Sequence, residues 1–399
     1  MDECSGVPLC APTVEDDEIA AVTAVLRSGW LAAGPKAAEF EAAFGRWAGA
    51  PHAVAVDSAT AGLHLVLAAL GTGAGDEVIV PSLTWPATVN VVELLGARAV
   101  FADVLPDTLL LDPDDVARKI TSRTRAVVPV HYAGAPADLA ALRGVADGRG
   151  VTIVHDAAHA LGTRYGDELI GGGPEPVVFS FHPAKNITTA EGGMVTVADG
   201  ELAERIRLLR FHGITKDSWS RHRGGGGPVS YEVLEPGWKY TMSDLHAALG
   251  LVQLPKLARF NARRAELAGR YRELLSGLEE IRLPDVPSYP HTHAWHLYVI
   301  RLVPELLAVD RDTFVAELKE LGVAAGVHYT PVHLHHYYRS RREGESASGR
   351  LPVTEDVAET IISLPLFAGM SDEQQDRVVE AVRAVAGRHR GSDATGTVR

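Results

Sequence analysis

Residues 177 to 186 read Val-Val-Phe-Ser-Phe-His-Pro-Ala-Lys-Asn. Side chains alternate along a strand, so Val177, Phe179 and Phe181 share one face and Val178, Ser180 and His182 share the other. Pro183 breaks the run and delivers Lys185 just past the strand end. Glu191-Gly192-Gly193 follows, and then a further strand at Met194–Val197. Outward from this stretch the same grammar repeats. Ala53–Val56, Glu77–Val80, Arg98–Phe101, Ala126–Val130 and Val151–His155 are strand candidates. Ala59–Leu70, Pro86–Leu95, Leu139–Arg149 and Glu201–Phe211 are helical by period and composition. Strands separated by helices predict an α/β fold with a large, mostly parallel sheet covered on both faces. Ligands of such sheets collect at the carboxyl ends of the strands, which is where Lys185 falls.

Residues 15 to 50 read as two helices around a turn at Gly34-Pro35. A long helical stretch, Ser243–Leu275, is expected to break or kink at Pro255. It leads into a second region with strands at His296–Leu302 and Ala325–Tyr329 and helices at Asp312–Leu321 and Asp372–Ala386. The expected organisation is a large domain over 1–250, a smaller C-terminal α/β domain over 251–388 and a disordered tail over 389–399. The run Arg223-Gly-Gly-Gly-Gly-Pro228 has no strand before it and no helix directly after it, so it reads as a mobile loop rather than a phosphate fingerprint.

The chain has 399 residues, 46% of them apolar and 22% charged. That profile excludes collagen-like, disordered and disulfide-scaffold classes. Acidic groups number 51 against 38 basic ones, a formal net charge of −13, which argues against a nucleic-acid partner. No stretch reaches about 18 uninterrupted apolar residues, so no membrane span is expected. Cys4 and Cys10 form neither a disulfide framework nor a zinc pair. The first residues lack the features of a signal peptide, and a cytoplasmic location is expected. His328, His333, His335 and His336, with Tyr337 and Tyr338, fit no zinc spacing, so no metal is expected. There are seven lysines, which leaves few candidates for amine chemistry.

Four features fall at strand ends. Ser58, Ala59 and Thr60 stand where a strand runs straight into a helix; they are either a plain N-cap or an anion site of free amides and hydroxyls. Asp156 ends a central strand, and a carboxylate there needs a partner, either a side chain or a protonated ring nitrogen. Lys185 is either a solvated surface lysine or an amine of depressed pKa suited to nucleophilic attack. Trp85 caps the core or stacks on a planar ring. Taken together they match the phosphate, ring nitrogen, ring face and aldehyde of pyridoxal 5′-phosphate.

The chain resembles the DegT/DnrJ/EryC1/StrS family of sugar-nucleotide aminotransferases. The resemblance spans about residues 10 to 388. It rests on Ser28-Gly29-Trp30, Asp57-Ser58-Ala59-Thr60-Ala61, Asp156-Ala157-Ala158-His159, Ser180-Phe181-His182 with Lys185-Asn186, Glu191-Gly192-Gly193 and His212-Gly213. It implies the fold-type I architecture and an active site shared within a homodimer. Pro81-Ser-Leu-Thr-Trp85, Pro129-Val-His-Tyr-Ala-Gly-Ala-Pro136, Lys185-Asn-Ile-Thr with Ala190-Glu-Gly-Gly193, Gly237-Trp-Lys-Tyr240 and His293-Ala-Trp-His296 look closest to the 4-amino-4-deoxy-L-arabinose nucleotide branch. That implies a UDP- or dTDP-linked 4-ketopentose as substrate and L-glutamate as amino donor.

The same resemblance implies Lys185 as the Schiff-base lysine and general base, Asp156 on the pyridine nitrogen and Trp85 stacked on the ring. His159 lies beside the ring, and Ser58, Ala59, Thr60 and Ser180 surround the phosphate. Lys239 stands where the wider family has an Asn reaching the phosphate from the partner subunit. Thr241 stands where Asn or Arg is common. Trp30, His328 and His333 are expected at the sugar-nucleotide site, while Lys216, Arg221 and Arg223 read either as diphosphate contacts or as solvated surface groups. His291, His293 and His296 read as strand and loop residues. Family dehydratases carry His in place of the lysine, so Lys185 implies transamination. A 4-keto- or 3-keto-6-deoxyhexose nucleotide is the competing substrate. A cofactor-binding regulator without turnover is disfavoured by the acidic charge and the lack of a helix-turn-helix extension.

Overall fold

The computed structural model describes residues 6–215, 231–341 and 350–391. The Gly-rich run with Lys216, Arg221 and Arg223 lies outside the described residues, as do 392–399 of the expected tail. Strands β1 (His52–Val56), β2 (Glu77–Pro81), β3 (Arg98–Ala102), β4 (Thr124–Val127), β5 (Thr152–Ile153) and β6 (His155–Asp156) come first. The short hairpin β7 (Arg164–Tyr165) and β8 (Glu168–Leu169) follows, then β9 (Val177–Ser180) and β10 (Gly193–Val197).

Parallel pairing orders β3-β2-β4-β5, and a second sheet orders β6-β9-β10-β1. Val154, between β5 and β6, donates its amide to Val127 at 2.9 Å, and Val130 bridges Asp156, so the two sheets run on as one surface. β10 is antiparallel to both β9 and β1. The sheet is therefore mixed and mostly parallel.

Period-two alternation sorts the apolar side chains onto two cores. Val54, Val56, Val178 and Val195 pack against helix Ala59–Ala69 through Leu63, Val66 and Leu67. Ala53, Ala55, Phe179 and Met194 pack the opposite face against Phe40 and Phe44 of helix Pro35–Ala48. A sheet covered on both sides buries its strands almost completely, as the run of apolar residues requires.

The C-terminal part builds an antiparallel sheet, β11 (Ile281–Arg282), β13 (Tyr298–Leu302) and β14 (Ile361–Leu364), in that order, while β12 (His291–Thr292) pairs with β7. Helices Arg311–Glu320 and Asp372–Arg388 cover this sheet with Phe314, Leu318 and Val382. Around Pro255 the long helix passes through one tight turn, Leu254–Lys256, between Asp244–Gln253 and Leu257–Leu275. Helix Leu257–Leu275 joins two cores: Leu257 and Phe260 sit with Phe40 and Phe44 against the large sheet, Leu267, Tyr271 and Leu275 in the C-terminal core. Val7 also packs in the C-terminal core, its amide 2.8 Å from the Gly322 carbonyl.

One expected strand is corrected. Ala325–Tyr329 makes only a single bridge, Gly326 to Ser363. The chain then turns inward, where His328 Nδ1 meets Ser363 Oγ at 2.8 Å and Tyr329 reaches His159. Its polar side chains are used in a cavity rather than along a sheet edge. Among the described residues no helix is long and apolar enough to cross a membrane.

Candidate active site

A cavity opens at the carboxyl ends of β1, β6 and β9, lined among others by Ser58, Thr60, Trp85, Asp156, Lys185 and His328. On its first side β1 ends and helix Ala59–Ala69 begins at once. Ser58 is the extended N-cap, and its Oγ accepts the Ala61 amide at 3.1 Å. The amides of Ala59 and Thr60 have no intrahelical acceptor and lie at the positive end of the helix dipole. The cap is formed, and it leaves beside it free amides of the kind that can hold an anion. Gly193 lets β10 run close beneath it, since a Cβ there would lie 2.8 Å from the Ala59 nitrogen. Ser180 completes this side.

Asp156 ends β6 and is 5% exposed. One oxygen accepts from Thr88 Oγ1 at 2.7 Å and the other from the Ala158 amide at 3.1 Å. Burial pushes its pKa up, against those two hydrogen bonds and the nearby Lys185. No cation of the described residues forms an ion pair with it. Lys185 opens into the same cavity and is half-buried there. Burial lowers its ammonium pKa to about 8, the Asp156 carboxylate opposing the shift. That is the perturbation an attacking amine needs.

Imidazoles crowd round the lysine. His296 Nε2 is 3.4 Å from Lys185 Nζ. The His159 ring lies 4.3 Å from that of His296, and its Nε2 meets Tyr329 OH at 2.9 Å. Burial, helped by the Lys185 charge, pushes His159 and His296 well below the usual histidine range, and burial takes His328 to about 4. All three are therefore neutral near pH 7. Trp85 stands at the mouth, 62% exposed, its ring 5.9 Å from that of Tyr329.

Of the twelve site residues read from the sequence, nine line this cavity: Ser58, Ala59, Thr60, Trp85, Asp156, His159, Ser180, Lys185 and His328. Three lie elsewhere in the chain. Lys239 Nζ donates to Thr241 Oγ1 at 2.6 Å and sits over the Phe211 ring. Trp30 packs beside Gly34, where any Cβ would strike the indole. His333 is buried off this cavity, with Nδ1 2.6 Å from Ser82 Oγ and Nε2 3.2 Å from Glu355. Sequence reasoning missed Thr88, Tyr329 and the place of His296. Thr88 stands one turn beyond Trp85 on helix Ala87–Leu94, a spacing that could have revealed it.

A model described as the DegT/DnrJ/EryC1/StrS aminotransferase family matches residues 12–383. Among solved structures, the aminotransferase TlmJ from Streptoalloteichus hindustanus is 35% identical, with a TM-score of 0.86 over 96% of this chain and 99% of that one. DesV from S. venezuelae, solved in complex with a ketimine intermediate, is 36% identical, with a TM-score of 0.85 over 96% and 98%. Spr1654 from Streptococcus pneumoniae, assigned as a sugar aminotransferase and solved in its PLP form, is 32% identical, with a TM-score of 0.87 over 96% and 99%.

Proposed function

Because this chain belongs to the DegT/DnrJ/EryC1/StrS aminotransferase family, we propose that it moves an amino group from L-glutamate to the C4 ketone of a nucleotide-linked 4-ketopentose. It is a fold-type I aminotransferase, and its cofactor is pyridoxal 5′-phosphate. The cavity fits that cofactor. It has helix-N-terminal amides without intrahelical acceptors for a phosphate and, among the described residues, a buried carboxylate with no ion-pair partner and a buried His159 Nδ1 with no hydrogen-bond partner. The observation that carries the reading is Lys185 and Asp156 facing one cavity, an amine lowered to about 8 and a carboxyl raised by burial.

When bound, pyridoxal 5′-phosphate supplies an electron sink for the charge left as a proton leaves the amine-bearing carbon. Lys185 would hold the cofactor covalently through Nζ and, when that amine is free, would take and return that proton there. Asp156 holds a proton at the ring nitrogen. Ser58, Ala59, Thr60 and Ser180 bind the phosphate, Trp85 covers a ring face and His159 lies beside the ring. His328 belongs to the sugar-nucleotide side, whereas Trp30 does not line this cavity in its own chain. Lys239 serves the phosphate of the other subunit in a homodimer.

The pentose reading is supported by the resemblance of Gly237-Trp-Lys-Tyr240 and His293-Ala-Trp-His296 to the arabinose branch. A 4-keto- or 3-keto-6-deoxyhexose nucleotide is the competing substrate, and Thr241, where the family often has Asn or Arg, bears on which groups meet the nucleotide. The test is mass spectrometry of products from L-glutamate with UDP- and dTDP-linked 4-ketopentoses and ketohexoses. The expected result is a pentose kcat/KM at least about tenfold above the hexose value. Faster hexose conversion would reverse the assignment. Absence of glutamate-driven conversion of bound pyridoxal to pyridoxamine phosphate would remove glutamate as donor.

A further inference from the structure

We propose that His296 is a positioning residue for Lys185, accepting a hydrogen from its amine at Nε2 so that the amine's lone pair points at the reacting carbon. The inference rests on the reading of Lys185 as the reacting amine. An unconstrained ammonium or amine rotates about its last bond, and each wrong orientation costs rate. Two tethers from one corner of the chain limit that freedom. Asn186 Nδ2 donates to the Ala294 carbonyl at 2.8 Å and to Asn261 Oδ1 at 2.7 Å, fixing the backbone next to the lysine. Two residues beyond Ala294, His296 Nε2 stands 3.4 Å from Lys185 Nζ. That separation is at the long end of hydrogen bonding, as catalytic contacts often are before substrate binds.

The corner itself is held hard. The Ala294 amide bonds the Gly134 carbonyl at 3.0 Å and the Leu297 amide bonds Ala133 at 3.2 Å. Arg264, 2% exposed, donates to the carbonyls of Trp295, His296 and Leu366. Trp295 takes a left-handed φ of 47°, a conformation that surrounding contacts must enforce in a non-glycine residue. Such bracing suits a group whose direction matters. Charged and titratable groups facing the pair are Asp156, Cys10 and Arg264 around the lysine, and His159, His328 and Arg264 around the imidazole. Burial keeps His296 neutral, so it serves as a fixed acceptor and not as a store of protons.

The test uses the full-length protein stripped of cofactor. Acetylation of Lys185 by acetic anhydride is followed by peptide mass spectrometry from about pH 6 to about pH 10, with the other lysines as internal references. The wild-type midpoint should lie near 8. His296→Phe keeps a ring but removes the acceptor, and should lower the midpoint by about one unit, because a hydrogen bond that favours the ammonium is lost. His296→Gln, which restores an acceptor, should bring it back to within about 0.3 units. In the glutamate half-reaction of the loaded enzyme, His296→Phe should be about 10- to 100-fold slower with cofactor content unchanged. If His296→Phe fails to fold, His296→Met is read the same way. A midpoint unmoved in the acceptor-free variant, or moved equally by Gln, would overturn the proposal. A moved midpoint without any transamination would instead remove the functional reading and leave the positioning contact standing.

Discussion

Asp156 is a carboxylate that the fold holds at a cost. It has two hydrogen-bond donors, Thr88 and Ala158, and no ion-pair partner among the described residues. Burial raises its pKa above the unfolded value, so the folded chain favours the protonated acid. Its penalty is absent below the ordinary aspartate range and grows as pH rises through the raised value. In the cofactor-free protein, Asp156→Asn keeps the shape and one acceptor while removing the charge. Its melting temperature should rise by about 1–3 °C near neutral pH, and the gain should vanish as the pH falls through the aspartate range. The loaded variant should lose at least about 100-fold in turnover, because the ring nitrogen no longer keeps its proton. Melting curves at two pH values and steady-state rates check both halves. A variant less stable at neutral pH would show that the charge is already compensated in the free protein.

At the scale of elements, the cradle depends on β10 passing under helix Ala59–Ala69 with no side chain between them. A Cβ on Gly193 would lie 2.8 Å from Ala59 N, Ser58 C and Phe179 O, all backbone atoms that cannot yield cheaply. Gly193→Ala should therefore push the helix N-terminus off its position and weaken cofactor binding by about 10- to 100-fold, measured by absorbance titration of the stripped protein. An unchanged affinity would mean that the amides do not hold the phosphate. Most of this element-level design was readable in the chain. Runs such as Glu77–Val80 and Val177–Phe181 are too apolar for a half-exposed strand, and they sit between helical periods, so the sheet and its ligand edge follow. Ser58, Asp156 and Lys185 are legible because each directly follows such a run. The direction of β10 is not legible: period two says which face a residue takes, and nothing about orientation. β14 (Ile361–Leu364) was not read as a strand because it follows helix Pro352–Ala358 after only Glu359 and Thr360, with no turn residue to mark where it begins. His296 and Tyr329 escaped notice because they reach Lys185 and His159 across 111 and 170 residues of chain.

For the whole molecule the question is charge balance. The chain is acidic by 13 formal charges, yet its site is proposed to hold a dianionic phosphate and a nucleotide diphosphate. Of the described residues lining the cavity, Lys185 is the one Lys or Arg, and in the proposed reading its amine is taken up by the aldehyde end. Glu191 also lines the cavity, and its charge adds to burial in raising the pKa of the nearby Asp57. A further cation is needed, and Lys239 of the same chain does not line the cavity. A second copy can supply it, because a two-fold dimer places equivalent residues reciprocally. Mixed dimers decide the point. Protomers carrying Lys185→Ala and protomers carrying Lys239→Ala are each expected to be nearly inactive alone. If Lys239 acts across the interface, a hybrid dimer has one site with both lysines replaced and one site fully intact. After random exchange of equal amounts, half of the dimers are hybrids, so about a quarter of all sites regain activity. If Lys239 acts only within its own chain, every site keeps one defect and the mixture stays as inactive as its parents.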